Sequence, residues 1–239
     1  MNDYLSSASL KSLAKGQLLG KYGTLIGAYA IHMVCVYFAT FSAAILVDTA
    51  SIIGTIIYYI IAFIISLISG LFAFGEAYIY LKLACNQKVF VKDLFFGFTR
   101  SSDKILTVQA VLSLISMICG IPNILYLYIN NSAPENAYLF LLSVVLILTF
   151  SIANIILSLM FSQSYYLILD FPQYSAKDVL TKGTKLMKGS KGRLFYIYLS
   201  FIPLFLLGML TCCIGFLWVL PYFQAVCANF YLDLMKKRR

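Results

Sequence analysis

The sequence predicts an all-α polytopic membrane protein with six transmembrane helices in three hairpins, joined by short interfacial amphipathic helices. Three observations predict it. Of 239 residues, 62% are apolar and only 11% charged, with a mean hydropathy of +0.90; a soluble domain carries about 45–50% and about 25%. The uncharged runs match the roughly 20 helical residues that cross a hydrocarbon core about 30 Å thick. Finally, all 18 Lys and Arg fall in alternate connecting segments. This composition excludes the soluble enzyme classes that need a surface of interspersed charge, and 14 Gly with 5 Pro excludes collagen-like and disordered chains.

The elements follow in order. The first twenty residues are polar and basic, without the short apolar core and cleavage site of a removable signal peptide, so span one is expected to act as its own insertion signal. Spans are expected at Tyr22 to Val47, Ile52 to Leu81, Ile105 to Ile129, Ala137 to Leu169, Leu194 to Thr211 and Ile214 to Leu232; Glu76 is the one formal charge within them. The last two are separated by a tight turn around Cys212 and Cys213. Pro122, Pro203 and Pro221 fall inside spans and are expected to kink them. Gly23 and Gly27, four apart on span one, have the small-x-x-x-small spacing of closely packed helices.

Lys and Arg in short loops stay on the cytoplasmic side. Three precede span one, five lie between spans two and three, six between spans four and five, and four follow span six. The intervening loops hold only Asp48 and Glu135. Both termini are therefore expected in the cytoplasm. The net charge of +9 is read as this topological bias together with attraction to anionic lipid, with no folded basic domain for nucleic acid.

The basic segments before the odd spans resemble one another: Lys11-Ser12-Leu13 with Gly16, Lys92-Asp93-Leu94 with Gly97, and Lys177-Asp178-Val179 with Gly183. Leu10, Leu13, Ala14 and Leu18, then Val91, Leu94, Phe95 and Phe98, then Val179, Leu180, Leu186 and Met187 suggest helices lying apolar face down in the interface. Aromatic pairs close the even spans, as in Tyr78 with Tyr80, Tyr165 with Tyr166, and Phe230 with Tyr231. The single transmembrane domain of residues 1–239 is thus expected to contain three repeats, near 8–85, 88–170 and 175–235. Lys92, Lys177, Lys182, Lys185, Lys188 and Arg193 are the expected lipid-headgroup contacts.

Few side chains offer chemistry. His32 lies about ten residues into span one, roughly 15 Å deep; it is read as a proton relay or as a neutral imidazole bonded to a neighbouring helix. Glu76 is a coupling carboxylate or cation ligand, or a carboxyl paired with Lys82 or a tyrosine. Gln109, Asn154 and Gln163, with Asn123, Gln224 and Asn229, either line a polar cavity or bond helices together. Glu76, His32, Asn154, Gln163 and Gln109 are the candidate ligand-binding residues. Six cysteines and one histidine form no metal set. No hydrolase, metalloprotease or phosphate-loop motif is present, so no enzyme activity, cofactor or metal is expected.

Met187-Lys188-Gly189-Ser190-Lys191-Gly192-Arg193-Leu194-Phe195, then Leu199-Ser200-Phe201, then Gly215-Phe216-Leu217-Trp218 with Pro221-Tyr222, Ala225, Ala228, Phe230 and Tyr231, resembles the bacterial membrane family called domain of unknown function nine hundred and seventy-five. Ala14-Lys15-Gly16 with Tyr22-Gly23, and Lys92-Asp93-Leu94-Phe95 with Gly97-Phe98, extend the likeness over most of the chain. The resemblance implies a multi-span protein of the bacterial plasma membrane, mostly in Gram-positive organisms, and transfers no catalytic residue. The expected role is to bind or transport an amphipathic or small ligand across the cytoplasmic membrane. The alternatives are a non-transporting scaffold, with a membrane-protein partner or second copy, and resistance to membrane-active peptides.

Overall fold

A computed structural model describes residues 4–48, 51–100, 102–132, 137–211 and 214–236. Its elements are α1 (Ser7–Leu18), α2 (Tyr22–Leu46), α3 (Ile52–Ala84), a 3-10 turn (Val91–Phe95), α4 (Phe96–Thr99), α5 (Ser102–Ser132), α6 (Ala137–Phe161), α7 (Ser164–Asp170), α8 (Ala176–Met187), α9 (Lys191–Leu210) and α10 (Phe216–Lys236). No strand occurs among the described residues. Among the described residues five helices are long and apolar enough to cross a membrane: Tyr22–Leu46, Ile53–Ala84, Ser102–Tyr126, Tyr138–Asp170 and Lys191–Leu210.

The sixth expected span corresponds to α10, which is not among those five. The reason lies in its surroundings. Ala225 through Tyr231 are all buried, with Asp233 and Leu234 beyond them, so much of this helix faces protein and can carry Gln224, Asn229 and Asp233. The other long helices show lipid-scale apolar exposure: Leu46 is 82% exposed, Phe38 73% and Ile53 72%. Exposed apolar surface on this scale fits a membrane protein better than one dissolved in water.

The short helices form where the basic segments predicted them, but two of them turn their apolar faces inward. Leu10, Ala14 and Leu18 of α1 are wholly buried, with α1 lying on α10. Val179 and Met187 of α8 are wholly buried, with α8 lying on α5, α6 and α7. In the middle segment Leu94 is buried on α3, whereas Phe95 and Phe98 remain partly exposed. The expected interfacial posture is therefore corrected: protein, rather than acyl chain, covers most of these faces. Burying a Leu or Val side chain is favourable by about 1.5–3 kcal/mol wherever the apolar cover comes from, and neighbouring helices supply it here.

Two glycines allow the 3-10 turn and α4 to lie backbone against backbone on α3. A Cβ on Gly75 would strike the Leu94 carbonyl, and one on Gly97 would strike the Leu71 carbonyl. Gly23 meets nothing within 4 Å and Gly27 meets only Val91, at 3.8 Å, so the small-x-x-x-small pair of span one packs no helix closely. The helices run through Pro122, Pro203 and Pro221 without ending.

Candidate functional site

α2 and α3 bring His32 and Glu76 together. His32 Nδ1 lies 2.8 Å from Glu76 Oε1 and Nε2 lies 3.1 Å from the Ser69 hydroxyl. The imidazole stacks on Phe72, with ring centroids 5.2 Å apart. Both His32 and Glu76 are buried. A neutral imidazole donating from Nδ1 to the carboxylate and accepting the Ser69 hydroxyl at Nε2 satisfies both ring nitrogens. The expected pairing of Glu76 with Lys82 is corrected. Lys82 instead donates to Asp93 Oδ2 at 2.6 Å, and the same oxygen accepts the Phe90 amide at 3.1 Å, holding the 3-10 turn on α3.

Gln109 of α5 is the centre of a second cluster. Its amide nitrogen donates to the Ser66 carbonyl and hydroxyl, each at 3.2 Å, and to the Ser113 hydroxyl at 3.3 Å. Its carbonyl accepts from the Tyr165 hydroxyl. α3 comes close here because Gly70 has no side chain; a Cβ would run into the Gln109 side chain. The cluster forms the polar floor of a half-open groove of about 350 Å³ between α3 and α5, with Tyr59, Phe63, Leu112, Met117 and Ile124 in its walls. Across α5, Asn154 and Tyr165 line a smaller cavity of about 180 Å³, and Ser116 belongs to both.

The remaining expected residues separate. Gln163 is buried at the break between α6 and α7, where Nε2 donates to Ser162 at 3.0 Å while Oε1 has no partner. Asn123 is exposed on α5. Asn229 exchanges two hydrogen bonds with Gln17 of α1, at 2.7 and 3.2 Å, so this amide joins helices. His32 and Glu76 line neither groove beside α5. The structure therefore does not gather the five candidate residues into a single site.

The expected headgroup cations also divide. Lys177, Lys182, Lys185 and Lys188 are exposed on α8, with Lys182 over the Tyr174 ring at 3.3 Å. Lys92 lies over Phe90 at 5.4 Å. Arg193 instead ties the fold together: Nη2 donates to Asp233 Oδ2 at 2.8 Å and to the Leu5 carbonyl at 2.9 Å, and the guanidinium covers Tyr4. Cys35 and Cys85 are exposed rather than buried, and Cys227 alone of the described cysteines is fully enclosed. Cys212 and Cys213 lie outside the described residues. Among the described residues no group of three His, Cys, Asp or Glu could hold a metal ion.

Sequence reasoning passed over Ser66, Ser113, Ser116 and Gln17. The signal for two of them was present: Gln109, Ser113 and Ser116 fall at i, i+4 and i+7, a polar stripe on an otherwise apolar helix.

Fold and clusters together define a helical protein of membrane-spanning character with polar groups set inside its apolar layer. The chain belongs to the family described as Protein of unknown function (DUF975), whose model matches residues 1–238. No curated protein and no solved structure matches it.

Proposed function

We propose that this protein binds a small amphipathic ligand within the bilayer, in the groove between α3 and α5. In this reading the chain crosses the bacterial cytoplasmic membrane six times, α10 included, with both termini in the cytoplasm, and it is not an enzyme. One observation carries the proposal: an apolar-walled groove of about 350 Å³ has Ser66, Gln109, Ser113 and Ser116 along its floor. A lipid-facing groove with a polar floor suits a molecule with an alkyl or ring body and one hydrogen-bonding group, because few convergent polar groups fix orientation while apolar walls supply area. Binding without transport is favoured, since His32 and Glu76 satisfy each other and line neither groove beside α5.

The test uses protein in nanodiscs and a diazirine-bearing fatty acid as the probe. Crosslinks are expected on α3 between Tyr59 and Ser66 and on α5 between Leu112 and Ile124. Met117→Trp, which fills the groove, should reduce labelling there at least fivefold. Labelling spread evenly over every lipid-facing helix, unchanged by Met117→Trp, would remove the proposal.

A scaffold without ligand is the second reading. The internal pairing of His32 with Glu76 and of Asn229 with Gln17 favours it, because these polar groups hold helices to each other. The same labelling experiment decides between the two. The three-repeat reading is retained as part of the proposal, supported by the docking of each short helix on a long helix of another unit: α1 on α10, the 3-10 turn on α3, and α8 on α6.

A further inference from the structure

At the end of the molecule that carries the short helices, a separate cavity of about 400 Å³ opens between the ends of α3 and α7 and the start of the following loops. One wall is aromatic: Tyr78 and Phe96 stack at 4.1 Å and 13°, with Phe74 parallel to Phe96 behind them. The rim carries Lys82, Arg100 and Asp170. The Lys82 charge is paired, whereas Asp170 takes a hydrogen bond and keeps its charge. Lys82 is held by Asp93 at 2.6 Å, and Asp170 accepts the Tyr231 hydroxyl at 2.7 Å. Arg100 is exposed, and among the described residues no carboxylate lies within ion-pair distance of it. A guanidinium kept at the mouth of an aromatic-walled cavity, with its donors uncommitted, matches an anion bidentately while the rings receive an apolar body.

We infer that this cavity is a second ligand site, distinct from the groove between α3 and α5, for an amphiphile bearing one phosphate or carboxylate held at Arg100. An anionic lipid headgroup and a free aromatic anion share this chemistry. Cys85 reports on occupancy, because it is exposed and lines the same cavity.

The experiment uses the full chain in nanodiscs with the other five cysteines replaced by Ser. Cys85 is modified with an anionic and with a cationic methanethiosulfonate of similar size, and the ratio of the two rates is taken so that thiol reactivity cancels. Arg100→Gln is expected to lower the anionic-to-cationic ratio about fivefold, measured against the standing bias that Asp170 sets in the same cavity. That is the order expected for one unit charge removed within several ångströms in water. Lys88→Gln, an exposed cation outside the cavity, should leave the ratio within twofold.

Phenyl phosphate and phosphatidylglycerol are then tested as protectants, each against phosphatidylcholine nanodiscs alone. Slowing by phenyl phosphate identifies a soluble anion, and slowing only by phosphatidylglycerol identifies lipid; either supports the site. A rate ratio that survives Arg100→Gln, or no slowing by either protectant, overturns it. Loss of labelling in the groove between α3 and α5 would leave this result untouched, so the two proposals fail separately.

Discussion

Gly75→Ala is the sharpest test of the fold. A Cβ at this position falls on the Leu94 carbonyl, which belongs to the backbone of the 3-10 turn and cannot rotate away as a side-chain terminus would. The Cβ would sit 1.8 Å from that oxygen, so normal contact requires the turn to retreat by about 1.7 Å, given a van der Waals separation near 3.5 Å. That retreat uncovers Leu94, which is 0% exposed, and pulls Asp93 from Lys82. Overpacking costs about 1–3 kcal/mol, and partial loss of a buried Leu raises the expected penalty to about 3 kcal/mol. For a chain of this size each kcal/mol moves the melting midpoint by about 2–4 °C, so a fall of about 6–12 °C is expected. The assay is thermal unfolding in one detergent followed by monodisperse recovery on size exclusion. Gly23→Ala is the matched control; nothing lies within 4 Å of its new Cβ, and Ala favours helix over Gly by about 1 kcal/mol. A Gly75→Ala midpoint within 2 °C of the parent, or no warmer ranking of Gly23→Ala, would refute the close backbone approach.

Other expectations follow from the same geometry. Glu76→Leu should destabilise by about 3 kcal/mol because His32 loses its partner, and adding His32→Leu should recover part of that loss; simple additivity in unfolding would count against the pair. At the N-cap of α8, hydrogen bonds from Ser175 hold the Asp178 carboxyl below its ordinary range. A depressed carboxylate stabilises above its unfolded pKa, and that contribution is lost as pH falls through the folded value. Amide exchange at the start of α8 should therefore accelerate below about pH 4 after correction for intrinsic rates, and Ser175→Ala should remove the step. Burial and the nearby Asp170 charge push the Cys85 thiol up, so its alkylation should keep rising above pH 9 and Asp170→Asn should shift the curve to lower pH; identical pH curves would exclude the Asp170 contribution.

The helices were legible because lipid imposes a length and an apolarity on them that short-range composition records directly. The long spans from Tyr22, Ile52, Ala137 and Lys191 begin within a few residues of where uncharged sequence begins. Contacts between helices were less legible. Gly23 and Gly27 carried the recognised spacing yet make no close approach, whereas Gly75 and Gly97 admit backbone approaches to Leu94 and Leu71, partners roughly twenty or more residues away in sequence that no local period marks. His32 and Glu76 were each singled out as costly inside a span, but their pairing across 44 residues follows from helix rotation, which composition does not specify. The groove was half visible: Gln109 stood out as an amide, while serines are too common in transmembrane helices to draw notice until α5 is seen to align three polar residues on one face.

The placement of the short helices gives the charge pattern a second meaning. The lysines of these segments were read as a topological signal, yet most of the apolar residues between them are spent on helix packing. α1 closes onto α10 at the other end of the chain, through Leu5 with Asp233 and Gln17 with Asn229. The middle segment clasps α3 through Asp93 and Lys82, and α8 sits against α6 and α7 with Gly183 facing Leu167 and Ser164. Each short segment therefore packs on a long helix distant in sequence or preceding it, and the first packs on the last. Polar ties and buried apolar faces concentrate at these short helices, while the long helices carry strongly exposed apolar side chains such as Leu46, Phe38 and Ile53. Of the two cavities proposed as ligand sites, the one at Arg100 includes Lys82, which ties the middle segment to α3, and the groove between α3 and α5 is built on the Gln109 cluster.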